Sequence, residues 1–228
     1  MTHPVNPTHR TRIKICGLTR PADVDEVVAA GADAIGFVFY APSPRSVSAQ
    51  SAATLLQRVP AFVTTVGLFV NATPDEVARV VAVAPVSLLQ FHGDETPQQC
   101  AAIAAAVNRP YIRAVRVGAQ TTREDLLEYG SAYGTTGTLF AGLLLDTLVD
   151  SYGGGGKVFD WSLIPEELAP QVVLSGGLNV LNATDAVTQV RPFAVDVSSG
   201  VESAKGIKDA AAIRNFIGAV RLADTLPR

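Results

Sequence analysis

The chain has 228 residues, 48% hydrophobic and 17% charged, with a net charge of −3 and a sequence pI near 5.6. This balance fits a compact globular enzyme, excludes a disordered or fibrous chain, and offers no basic surface on which nucleic acid would bind by default. Two cysteines, Cys16 and Cys100, are too few for a disulfide framework and fit a reducing compartment. No apolar run is long enough to cross a bilayer, so the expectation is a soluble, cytoplasmic protein with neither membrane nor nucleic acid as partner.

Residues 1–11 are polar, carry His3, Pro4, Pro7 and His9, and read as a loose N-terminal tail. From residue 12 onward, short β-rich runs alternate with helical patterns. Strands are expected at 12–16, 34–39, 64–70, 86–91, 111–117, 139–145, 171–174 and 193–197. Helices are expected between and after them at 21–30, 49–58, 74–83, 97–107, 123–129, 161–168, 181–190 and 208–223. Thr19, Thr73 and Thr96, each just before a Pro-containing helix start, carry N-terminal signals.

This alternation implies βαβ units with parallel strands. About eight units fit, the count of a (β/α)₈ TIM barrel, and no linker divides 12–228, which reads as one domain. A doubly wound sheet would leave one or two units surplus, and no Gly-x-Gly-x-x-Gly fingerprint follows the first strand. The glycine run 153–156, just past the sixth strand, reads as a mobile active-site loop rather than a linker.

In a parallel α/β fold, chemistry gathers at the C-terminal ends of the strands. Cys16 ends the first strand and Asp146 the sixth. A thiol and a carboxyl placed there could converge on one substrate, one taking a proton and the other giving one. Each also has a plainer reading, Cys16 as a small buried apolar residue and Asp146 as a turn or capping residue. Cys100, among helical alanines, reads as packing.

Strand periodicity puts Lys14 and Cys16 on one face, and Asp196 and Ser198 on one face. Closure sets strands one and eight side by side, so Lys14 and Asp196 could pair below Cys16. A neighbouring ammonium would then draw the thiol pKa toward neutrality. The loops after strands seven and eight hold Ser175-Gly176-Gly177-Leu178 and Asp196-Val197-Ser198-Ser199-Gly200-Val201. Glycine backbone and serine hydroxyls there could bind a phosphate, although both segments could be ordinary turns. Arg45 could grip a carboxylate or be a solvated loop charge. His92 faces the same edge, with a structural hydrogen bond as the alternative. Of three histidines, two lie in the tail, so no metal site is expected and the acid–base pair needs no cofactor.

Taken together, Lys14-Ile15-Cys16-Gly17, Gly36-Phe37-Val38-Phe39, Pro44-Arg45, Phe91-His92-Gly93-Asp94-Glu95, Leu145-Asp146-Thr147, Lys157-Val158-Phe159-Asp160-Trp161, Leu174-Ser175-Gly176-Gly177-Leu178-Asn179 and Asp196-Val197-Ser198-Ser199-Gly200-Val201-Glu202 resemble the phosphoribosylanthranilate isomerase family, from about residue 12 to the last helix. The resemblance implies a (β/α)₈ barrel, without cofactor, that catalyses an Amadori rearrangement in tryptophan biosynthesis, as a monomer or homodimer. Its small-molecule substrate would be N-(5-phosphoribosyl)anthranilate and its product the 1-deoxyribulose phosphate. By that resemblance Asp146 is the general acid, Cys16 the general base and Arg45 the carboxylate anchor. Gly176, Gly177, Asp196, Ser198, Ser199 and Gly200 belong to substrate binding.

Two positions depart from the family pattern. Gly155 stands where relatives carry a hydroxyl residue, and Lys205-Gly206 replaces a Pro-Gly pair before the last helix. The nearest alternatives are a barrel isomerase of a histidine-pathway aminoaldose, whose first-strand base is an aspartate, and a non-catalytic phosphosugar-binding protein.

Overall fold

The computed structural model describes residues 10–148 and 158–227. Of the tail expected at 1–11, residues 1–9 lie outside the described residues, as does the glycine run 153–156, while Thr11 is buried and donates from its N–H and hydroxyl to Asp224 at 2.9 and 2.7 Å. Eight parallel strands close into a barrel in simple sequential order: β1 (Arg12–Cys16), β2 (Ala34–Val38), β3 (Thr64–Phe69), β4 (Leu88–Phe91), β5 (Tyr111–Val117), β6 (Phe140–Thr147), β7 (Val173–Leu174) and β8 (Ala194–Val197). The helices are α1 (Pro21–Ala29), α2 (Ala49–Leu56), α3 (Pro74–Val83), α4 (Pro97–Val107), α5 (Arg123–Gly134), α6 (Ala183–Val190) and α7 (Ala210–Thr225). A small antiparallel hairpin, β9 (Glu202–Ala204) and β10 (Ile207–Lys208), is inserted before α7.

Local chemistry explains most helix starts. Thr73 and Thr96 accept from the amides of Glu76 and Gln99, whose side chains return to the cap backbone as capping boxes. Thr122 and Asp125 repeat the device at α5. Thr19 departs from expectation: α1 is entered through Arg20 without a side-chain cap, while the Thr19 hydroxyl donates to the Gly206 carbonyl at 2.7 Å. That bond ties the first βα loop to the hairpin turn, where Gly206 takes φ +77°. The Lys205-Gly206 departure thus forms a hairpin turn, and α7 is capped by Asp209, which accepts from Ala212 N.

Most element boundaries shift by a residue or two from the sequence expectation, and three of the differences have a clear local cause. The helix expected at 161–168 is only a 3₁₀ turn, Trp161–Leu163, because Ile164 precedes Pro165 and is held extended. The seventh strand shrinks to Val173–Leu174, since Ala169–Gln171 forms a 3₁₀ turn around Pro170, which has no N–H to give a ladder. α5 runs on to Gly134 because Tyr133 is anchored in the core: its hydroxyl donates to the Glu95 carbonyl at 2.8 Å and accepts from Arg113 Nε at 2.9 Å.

Side chains alternate across every strand. The outward set, including Ile13, Ile15, Ile35, Phe37, Leu89, Phe91, Leu143 and Leu145, packs under the helices in one large cluster. Inside, Leu88, Ile112, Ala114, Leu144, Val173 and Ala194 form a separate apolar plug. On β1, β4, β6 and β8 the next inward positions toward the strand C-termini are polar, while Val38 and Leu68 keep the β2 and β3 side of the mouth apolar, and that change creates the site.

Candidate active site

Above the plug, β1 contributes Lys14 and Cys16, β4 contributes Gln90 with His92 one step beyond, β6 contributes Asp146, and β8 contributes Asp196 with Ser198 one step beyond. Cys16, Gln90, His92, Asp146, Asp196 and Ser198 line one cleft at the C-terminal mouth, with about 810 Å³ of empty space counted out to open solvent.

Cys16 is 5% exposed. It lies in register with Gly36, where a Cβ would come within 2.8 Å of Cys16 Sγ and 3.2 Å of Lys14 Nζ. The missing side chain makes room for thiol and ammonium together. Lys14 Nζ reaches Asp196 Oδ1 at 2.8 Å across the β1–β8 seam, where the two residues are register partners. Burial works against the Lys14 charge, but Asp196 and the facing Cys16 outweigh it and push its pKa above the ordinary lysine value.

For the thiol, the balance corrects the sequence expectation. Burial pushes Cys16 up, Asp196 adds to the rise, and the opposing pull of Lys14 and Lys208 does not cancel it, so the pKa stands above the ordinary thiol value. The expectation counted the neighbouring ammonium and left out both desolvation and the ammonium's own carboxylate partner. Cys100 is buried in α4 and pushed up to about 12, as befits a packed thiol.

Asp146 is held at both carboxylate oxygens: Oδ1 accepts the amide of Thr147 at 2.9 Å, and Oδ2 lies 3.0 Å from His92 Nε2. His92 Nδ1 lies 2.9 Å from Gln90 Nε2. The His92 backbone is clamped as well. Its N–H donates to Phe69 O, and Arg113 holds the carbonyls on either side, Phe91 O at 3.0 Å and Gly93 O at 2.9 Å. His92 is therefore both structural and in the cleft, two readings the sequence left as alternatives.

The two Gly/Ser loops meet over this centre. Gly176 (φ +83°) lies so close to the sixth strand end that a Cβ would fall 2.4 Å from Thr147 N and 2.9 Å from Asp146 Oδ1. Gly176, Gly177, Ser198 and Ser199 line the cleft. Gly200 does not line it. Its role in the structure is close approach, since a Cβ there would sit 1.9 Å from Leu178 O. Asp196 lines the cleft as the partner of Lys14 and Ser175, and a carboxylate is not a ligand for an anion.

Arg45 lines the cleft with its side chain only 12% exposed, which removes the solvated-charge reading. Its Nε and Nη2 bind Glu202 Oε1 and Oε2 at 2.7 and 2.8 Å. Glu202 also accepts from Lys208 Nζ at 2.8 Å, and Lys208 donates to Ser198 O at 3.0 Å. Burial would raise the Glu202 carboxyl, but Arg45 and Lys208 hold it below its ordinary value. Burial pulls Lys208 below the usual lysine value, with Glu202 opposing.

Gln90 and Lys208 escaped the sequence reading. Counting back two residues from His92 would have found Gln90 on the inward face. Lys208 carries no motif signal. Among the described residues no group of three or more His, Cys, Asp and Glu could hold a metal ion, and no helix is long and apolar enough to cross a membrane.

The family model described as N-(5'phosphoribosyl)anthranilate (PRA) isomerase matches residues 13–219. An N-(5'-phosphoribosyl)anthranilate isomerase of Herminiimonas arsenicoxydans is 67% identical over 216 residues, covering 95% of each chain. The crystal structure of phosphoribosyl anthranilate isomerase from Thermotoga maritima superposes with a TM-score of 0.80 at 41% identity, covering 92% of this chain and 98% of that one. A phosphoribosyl anthranilate isomerase crystallised with reduced 1-(o-carboxyphenylamino)-1-deoxyribulose 5-phosphate gives 0.77 at 39% identity, covering 92% of this chain and 98% of its own.

Proposed function

The chain belongs to the N-(5'-phosphoribosyl)anthranilate isomerase family, and from that premise we propose that it converts N-(5'-phosphoribosyl)anthranilate to 1-(2-carboxyphenylamino)-1-deoxyribulose 5-phosphate in tryptophan biosynthesis. The observation that carries this reading is the shared cleft of Cys16 and Asp146, roofed by two Gly/Ser loops. Asp146 gives its proton to the furanose ring oxygen, the C1–O bond breaks toward that oxygen, and an iminium forms at C1. The iminium acidifies the neighbouring C2–H, and the Cys16 thiolate takes that proton. The electron pair forms the C1=C2 bond of an enol-amine, which tautomerises to the ketone with no net gain or loss of atoms.

Gly176, Gly177, Ser198 and Ser199 hold the phosphate through backbone amides and the Ser199 hydroxyl, with Gly200 shaping their approach. Arg45 meets the anthranilate carboxylate with Nη1, which has no hydrogen bond among the described residues, while Glu202 aims the guanidinium. Asp196 serves the substrate indirectly, by keeping Lys14 charged beside the thiol.

Mixing the purified protein with freshly made phosphoribosylanthranilate tests the reading: substrate fluorescence should decay at a rate proportional to protein concentration. Asp146→Asn should lower kcat by about 10²–10⁴-fold, the usual worth of a positioned acid, with product binding little changed. Turnover near wild type would remove Asp146 from the mechanism.

A further inference from the structure

We propose that Gln90 is a positioning residue whose side-chain amide decides which ring nitrogen of His92 carries a proton, and thereby whether Asp146 holds a proton to give. This rests on the role proposed for Asp146 and adds a device behind it. Gln90 has no exposed surface, and its amide meets His92 Nδ1 at 2.9 Å while His92 Nε2 meets Asp146 Oδ2 at 3.0 Å. The three side chains form a line in which donors and acceptors must alternate.

With the amide nitrogen toward His92, as in the structure, Nδ1 is the acceptor and Nε2 carries the hydrogen. Nε2–H then donates to Asp146 Oδ2, a bond that is strongest to an ionised oxygen. In this arrangement the Nε2–Oδ2 bond holds only the ring's own hydrogen. Turning the amide by half a revolution changes the inventory. Oε1 then accepts from Nδ1–H, and the Nε2–Asp146 bond can hold one further proton, taken up from solvent and shared between ring nitrogen and carboxyl oxygen. That is the loaded acid.

The structure holds the amide nitrogen toward His92, and the opposite orientation is within reach. An amide is nearly the same shape either way round. Among the described residues, Gln90 Oε1 is buried without a hydrogen-bond partner. Turning the amide would exchange that unpartnered oxygen for an unpartnered NH₂. A buried amide with a missing partner is costly where only structure is served, and here it leaves an acceptor ready to replace the donor at Nδ1 when the line takes up a proton. The backbone that carries the imidazole is fixed, because Arg113 grips the carbonyls before and after it and Glu95 accepts from Gly93 N at 2.9 Å.

Nitrogen-15 NMR of the histidine rings reads the tautomer without substrate. The chain has only three histidines, so a His92→Asn difference spectrum assigns the signal. Free wild-type protein should show two clearly unlike His92 nitrogens, Nδ1 bare and Nε2 protonated. Two nitrogens averaged by fast tautomer exchange, as in free imidazole, would overturn the proposal without any Gln90 variant.

Gln90→Glu, recorded at a pH where the new carboxyl is ionised, presents only acceptors, so it should turn Nδ1 into the protonated nitrogen; a bare Nδ1 in that folded, ionised variant would also overturn it. Gln90→Met keeps the bulk and removes both hydrogen-bonding ends. It should lower kcat roughly tenfold, a part of what a positioned acid is worth, with KM within about twofold, and an unchanged kcat would overturn the link to turnover. The spectra succeed or fail on the Gln90–His92–Asp146 line alone. Failure of the proposed function would appear instead as Asp146→Asn turning over like wild type.

Discussion

Cys16 sits where losing a proton is discouraged until something else arrives. With burial holding the thiol above its ordinary value, the base form is scarce in the empty cleft near neutral pH. The sign is fixed: thiolate rises with pH, so in the base role proposed for Cys16 the raised pKa moves the onset of free-enzyme activity upward. The ultraviolet thiolate absorbance of wild type minus Cys16→Ser should still be climbing above about pH 8.5, the ordinary thiol midpoint. Cys100, at about 12, stays silent there. A midpoint at or below neutrality would mean that Lys14 wins over burial. Cys16→Ser should fold and lose about 10³-fold or more in kcat, within the range of a general base, and a folded variant within tenfold of wild type would dismiss the role. Arg45→Ala should act mainly on KM, since it removes binding common to ground and transition states. A substrate lacking the ring carboxylate should lose little more in that variant, and an equal loss in both proteins would give Arg45 a different task.

Elements repeat the lesson with different physics. Thr73 and Thr96 were legible as helix starts because a cap is a local contract among four residues. Thr96→Ala should cost about 1 kcal/mol in urea unfolding, and a cost below a few tenths would mean that packing alone sets α4. Thr19 misled because its partner, the Gly206 carbonyl, lies 187 residues away. The eight strands were readable from alternation and their order from the count. What was not readable was the length of β7 and the failure of helix 161–168, both decided by prolines set against weak local patterns. In the site, Cys16, Asp146 and the two Gly/Ser loops could be placed because strand ends mark the mouth of a barrel. Glu202 binding Arg45, and Lys208 binding Glu202, could not, because charge pairing between distant loops leaves no periodic trace.

For the molecule as a whole, the seam between β1 and β8 matters most. Lys14 and Asp196 are 5% and 7% exposed there, a buried pair joining the first strand to the last. Asp196→Asn leaves an unpaired ammonium inside the barrel and should cost about 3–5 kcal/mol in urea unfolding. Lys14→Met combined with Asp196→Leu should recover most of that stability. A small loss in the single variant would mean that water reaches the seam. The Ser198 hydroxyl donates to the Cys16 carbonyl at 3.0 Å across a separation of 182 residues. A chain under synthesis therefore carries Cys16 and Lys14 from its first strand long before Asp196, the counter-charge of that ammonium, has been made. Lys14 gains its partner only when the eighth strand is complete and the ring has shut.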